Sequence, residues 1–225
     1  MKKLILALLL IPLLSGCASV NFSSKYYSLP ANYEKDLNDV WNQMITKIPL
    51  KYKNSYSYRI VKDNQTKPAG IPQSRQEGNN VVILIPEYFV KYVWEFYYPK
   101  YNQEIMSCLF AHELGHPESQ YSSKTPKEHL LCDKYTIKNL LLPPATVTTY
   151  YSTLIVVRDY WSARKGAGGH LFNAGWNSLN IASTIFVGVG FIGDLYATDL
   201  NYRISSLKRA YPSAKFCFKR VDNLK

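Results

Sequence analysis

Met106-Ser107-Cys108-Leu109-Phe110-Ala111-His112-Glu113-Leu114-Gly115-His116 is the stretch on which the fold turns. Ile105, Leu109 and His112 fall four and three apart, one stripe of a helix running from about Asn102 to His116. On such a helix His112 and His116 sit one turn apart on the same side, so both imidazoles can reach one cation. Glu113 falls beside that cation rather than on it, where a carboxylate can take a proton from water. With 4 histidines in 225 residues, His-Glu-x-x-His arises in roughly one in 400 shuffled chains of this composition. Zinc is the expected ion, because it accepts three protein ligands and keeps a fourth position open for water. Pro117 disfavours helical geometry at His116 and clashes with the carbonyl of Glu113, which predicts that the helix stops there.

Working outward, Val81-Val82-Ile83-Leu84-Ile85 reads as a buried strand stopped by Pro86. Downstream, a helix is expected from about Lys127 to Leu142, with Pro126 suited to its start and Pro143-Pro144 to its end. His129 and Asp133, four apart, share one side of it, whereas Glu128 points about 100° away. Three of the 4 histidines thus fall between positions 112 and 129, a concentration that core packing alone does not explain.

Met106 to His116 resembles the active-site helix of zincin metallopeptidases, and a strand before it with a ligand helix after it is most similar to the small gluzincins. The resemblance spans Val81 to Pro144, under a third of the chain. It implies an α+β zincin-like domain, with the active-site helix packed on a small sheet and a mostly helical C-terminal part. It also implies a Zn2+ enzyme that hydrolyses a protein or peptide substrate with a metal-activated water. Small gluzincins carry Glu-x-x-Ala-Asp or Glu-x-x-Ala-Asn on the second helix, where this chain has His129-Leu130-Leu131-Cys132-Asp133. His129 is therefore the expected third ligand beside His112 and His116, with Asp133 as the residue that orients the site. Asp133 itself, or Glu128, is the alternative ligand in another register. Glu113 is the expected general base. In that clan the strand before the helix is an edge strand that pairs with extended substrate, which would give Val81–Ile85 a binding role; plain sheet core is the reading favoured over it. His170, in Gly168-Gly169-His170, is a candidate to stabilise an oxyanion, against a solvated loop histidine. Tyr150 and Tyr151 are thinner candidates for the same role.

The remaining chain supplies the scaffold. Leu37, Val40, Trp41, Met44, Ile45 and Ile48 give Tyr33–Ile48 the spacing of an amphipathic helix, ended by Pro49. Tyr56–Val61 reads as a short strand, Asp63–Asn80 as a loop, and Glu87–Tyr98 as a helix in preference to a strand. Tyr150–Trp161 fits strand or helix, Arg164–Asn180 a glycine-rich loop, and Leu195–Ala210 another helix. Gly188-Val189-Gly190-Phe191-Ile192-Gly193 matches a dinucleotide fingerprint, but Ser213 stands where an acidic residue is needed. Ile181–Gly193 suits a buried or interfacial helix better than a membrane span.

At the N-terminus, Lys2 and Lys3 precede an apolar run from Leu4 to Leu14, and Leu14-Ser15-Gly16-Cys17 resembles the lipobox of bacterial lipoproteins. That resemblance implies removal of the signal and acylation of Cys17, and Ala18 after it suggests the outer membrane, with the protein facing the periplasm. Residues 1–17 would be the signal and lipobox, 18–30 a tether, and 31–225 one metallopeptidase-like domain. The hydrophobic share of 47% excludes a disordered chain. The formal charge of +11 suits an anionic membrane surface. Nucleic acid is not an expected partner, since zinc-finger spacings, RNP-like motifs and basic helices are all missing. Cys108 and Cys132, on the two ligand helices, are expected either to bridge or to pack as buried thiols. The rival to an enzyme is a non-catalytic envelope lipoprotein with a structural or vestigial zinc site.

Overall fold

The computed structural model describes residues 29–47, 55–62, 65, 70–119, 125–141, 147–176 and 190–221, and the side chains of 47, 163–176 and 190–197 fall outside that description. The expected signal, Cys17 and nearly all of the tether therefore lie outside the described residues, as does most of Ile181–Gly193. In chain order the elements are α1 (Ala31–Lys47), β1 (Tyr56–Val61), β2 (Gln73–Glu77), β3 (Asn80–Pro86), α2 (Glu87–Phe96), α3 (Pro99–Ser119), α4 (Pro126–Asn139), α5 (Val147–Trp176) and α6 (Gly190–Ala210). The fold is α+β, with one small sheet followed by a helical C-terminal half.

The sheet has order β1-β3-β2, with β3 parallel to β1 and antiparallel to β2. β3 is buried from Val81 to Pro86 because its unbroken apolar run meets a core on both sides: Ile83 and Ile85 join the main cluster, while Val82 and Leu84 pack with Val61. The central position makes Val81–Ile85 sheet core, the reading the sequence favoured, and not the edge that the zincin resemblance implied. The edge beside it is β2, which lies inside the stretch expected to be loop. Its sequence Gln-Ser-Arg-Gln-Glu carries no apolar alternation, and it becomes a strand through a hairpin whose turn is Gly78-Asn79, with Gly78 at φ +61°.

α1 buries Leu37, Val40, Trp41 and Met44, each contributing about 1.5–3 kcal/mol of apolar burial. Trp41 and Tyr58 both pack edge-on or tilted around Phe110 of α3, at 5.1 and 5.3 Å between ring centroids. α3 is buried almost continuously from Ile105 to Gly115, so it is the central rod of the domain rather than a surface helix. It also runs past Pro117 to Ser119, correcting the expected stop at His116. The Ser119 hydroxyl donates to the Gly115 carbonyl in the last turn. α5 is helical through Trp176, correcting the glycine-rich loop expected from Arg164. Among the described residues, no helix is long and apolar enough to cross a membrane.

Candidate metal centre

α3 and α4 bring His112, His116 and His129 together, with one ligand atom from each lying within 4.8 Å of the others. The rings form a nearly equilateral triangle, their centroids 4.8, 4.9 and 5.0 Å apart. Three histidines are thus close enough to bind a metal ion. Local chemistry sets the approach of the two helices. Thr125 caps α4 in a reciprocal box with Glu128, the Thr125 hydroxyl accepting from the Glu128 amide at 3.2 Å and the Glu128 carboxylate accepting from the Thr125 amide at 3.0 Å. Gly115 lets α4 come close: a Cβ there would fall on Thr136 Oγ1 and lie 3.1 Å from Cys132 Sγ. Any larger residue must push the helices apart.

Each of two ligand rings is held from behind by a carboxylate. His112 Nδ1 lies 2.9 Å from Asp133 Oδ1, and His129 Nδ1 lies 2.8 Å from Asp199 Oδ2. Bonds of this kind place the proton on Nδ1 and leave Nε2 as the ligating atom. The two Nε2 atoms face each other at 2.9 Å. Burial and the neighbouring Arg203 push His112 well below the ordinary histidine range. A ring N–H of His129 donating to His112 spans the distance between the two Nε2 atoms as it stands, and zinc bonds of about 2.0–2.1 Å at a tetrahedral angle would set ligand nitrogens about 3.3 Å apart, a few tenths of an ångström wider than here.

Behind the ligands lies a buried polar cluster. Arg203, 2% exposed, donates from Nε to Asp133 Oδ2 and from Nη2 to Asp133 Oδ1, both at 2.7 Å, and its Nη1 lies 3.6 Å from Asp199. The Tyr150 hydroxyl donates to Asp133 at 2.5 Å and meets His112 Nδ1 at 2.7 Å. Despite the cost of its burial, the guanidinium holds the Asp133 carboxyl below the ordinary carboxylate range, so it stays ionised. One cation therefore serves both carboxylates that orient the histidines.

Glu113 sits 6% exposed beside His112, and its carboxylate accepts from the Ser74 amide of β2 at 2.7 Å. Burial raises its pKa to about 7, while the Ser74 amide and Arg203 pull the other way. An acid poised at that value can both accept and return a proton near neutral pH.

Of the residues expected from sequence, His112, Glu113, His116, His129 and Asp133 converge. Glu128 does not: its carboxylate closes the α4 cap. Asp133 stands behind His112 rather than in the histidine triangle. Tyr150 also faces Asp133 and His112, and Tyr151 packs under Lys208 at 5.9 Å. The side chain of His170 lies outside the described residues. Cys108 and Cys132 are buried free thiols, pushed up to about 12 by burial, and Cys217 is free and exposed. Asp199 and Arg203 were missed. Their signal was two opposite charges one turn apart on the apolar stripe of Leu200, Ile204 and Leu207. No family model, curated protein or solved structure matches this chain.

Proposed function

We propose that the chain is a zinc-dependent endopeptidase carried on an envelope lipoprotein, with His112, His116 and His129 as ligands. The observation that carries this reading is the pairing of a three-histidine triangle with a buried carboxylate, Glu113, held by the amide of an edge strand. Zinc at the triangle would lower the pKa of a coordinated water to about 7 and polarise a substrate carbonyl. Glu113 takes the proton from the attacking water and passes it to the leaving amine. Asp133 and Asp199 fix the tautomers of His112 and His129, and Arg203 with Tyr150 keeps Asp133 ionised and in place. The substrate-pairing role that the zincin resemblance gave to Val81–Ile85 passes to β2, whose Ser74 reaches Glu113.

A second reading, a structural metal site without catalysis, draws on burial, since His112 is 5% exposed and Glu113 6%. The change Glu113→Gln separates the two. It preserves shape and the Ser74 contact but cannot carry a proton, so peptide hydrolysis falls by about 10²–10⁴-fold while metal content holds. Equal turnover by variant and parent on any cleaved peptide rules the enzyme out.

A further inference from the structure

We propose that the end of α6 and the segment 211–220 form a second membrane contact, a basic and aromatic surface that lies flat on an anionic phospholipid bilayer. Between Asp199 and Asp222 the chain carries six lysines and arginines and no acidic residue. Two of the six are committed elsewhere: Arg203 is buried behind the histidines, and Arg220 pairs with Asp159 at 3.1 Å. Lys208 donates to the carbonyls of Pro212 and Ala214 at 2.7 and 2.5 Å, and so fixes the turn that follows the helix. Arg209, Lys215 and Lys219 are exposed. Among the described residues, neither Lys215 nor Lys219 has a carboxylate within ion-pair distance.

Aromatic rings lie among these charges. Tyr211 is 40% exposed and Phe216 42%, although Ala214 and Phe218 on either side of Phe216 are buried and pin the segment down. The Tyr97–Arg220 bridge and the 2.9 Å bond from the Val221 amide to the Phe96 carbonyl tie the segment to the α2–α3 junction. That junction adds exposed Tyr98, at 44%, and Lys100. Phe216 packs 6.0 Å from Phe218, which packs 5.3 Å from Tyr101, and Lys100 lies 4.7 Å over that ring, so buried rings tie the exposed groups of the two segments to one support.

Exposed phenylalanine and tyrosine flanked by lysines is a poor surface for water alone. It suits the headgroup layer, where rings sit at the boundary and ammonium groups meet lipid phosphates. Each lysine near such a surface strengthens association about fivefold. The contact depends on neither the metal site nor the expected anchor at Cys17.

Hydrogen exchange of the full chain on phosphatidylcholine vesicles, with and without phosphatidylglycerol, tests this. The expected result is several-fold slower exchange across 208–220 on the anionic vesicles only, abolished by high salt. The combined variant Lys215→Gln, Phe216→Ser and Lys219→Gln loses the slowing, while exchange in α3 reports an intact fold. Lack of slowing, equal slowing on neutral lipid, or slowing that survives in the variant overturns the proposal. So does equal slowing by a DNA duplex in place of vesicles, which would assign the surface to nucleic acid.

Discussion

His112 and His129 are gripped in the same way by carboxylates that come from different places and stand on different footings. Asp133 lies 0% exposed on the helix that carries His129, yet it reaches across to His112, with Arg203 and Tyr150 saturating its remaining oxygens. Asp199 lies 9% exposed on α6, seventy positions from His129, and its Oδ1 has no hydrogen-bond partner among the described residues. The first arm is a closed ionic cluster whose members cannot change singly. The second is a more open support with a spare acceptor. The same carboxylate support of a histidine ring can thus be built into the core of a fold or added from a late helix.

The largest effect belongs to the closed arm. Asp133→Asn strips a buried guanidinium of its bidentate partner and leaves it only Asp199, 3.6 Å away, and breaking a buried pair from one side costs about 3–5 kcal/mol. The denaturation midpoint should fall accordingly, and metal binding should be lost with it. Replacing both partners by apolar residues, Asp133→Leu with Arg203→Met, should recover most of the stability but not the metal, because His112 then has no orienting carboxylate. A single Asp133→Asn variant with an unchanged midpoint would show that the closed arm is no more coupled than the other.

Asp199→Asn is the matching change on the open arm, and a smaller effect is expected. Its side-chain oxygen can still accept from His129 Nδ1, and Arg203 keeps Asp133, so the fold should stay within about 1 kcal/mol of the parent. Loss of the negative charge behind the ring should weaken the metal about 10–100-fold, as read by competition with a chelator. If this variant unfolds as readily as Asp133→Asn, the distinction between the two arms is wrong.

How far sequence could reach follows the same division. The histidine helix, the central strand and the α4 start were legible because each rests on local spacing or a cap. β2 was hidden because an exposed edge strand carries no apolar alternation, and its Ser74 contact with Glu113 exists only once the hairpin packs on α3. Pro117 misled because a helix buried along most of its length outweighs one lost hydrogen bond. Asp133 could be placed on the ligand face, but not assigned to His112 rather than to the metal, since that depends on a guanidinium seventy residues away.

The smallest effect concerns the His112 arm in metal-free protein, and its sign comes from two groups that oppose one another. His112 is held below its ordinary range when folded, so below about pH 6.5 the unfolded chain binds a proton that the folded one refuses, and stability falls with pH. Glu113 is raised to about 7 when folded, so between that value and about 4.5 the folded chain keeps a proton that the unfolded one releases, and stability rises as pH falls. Asp133, held low, adds nothing until pH drops below the unfolded carboxylate range near 3.9. Across about pH 5–6 the two main terms cancel, and apo stability should be nearly flat. Glu113→Gln removes one of them and uncovers the other, up to about 1.4 kcal/mol lost per pH unit in chelator-treated protein. A flat curve for the variant, beside a parent that gains stability as pH falls through about 6, would mean that His112 takes up its proton within the fold.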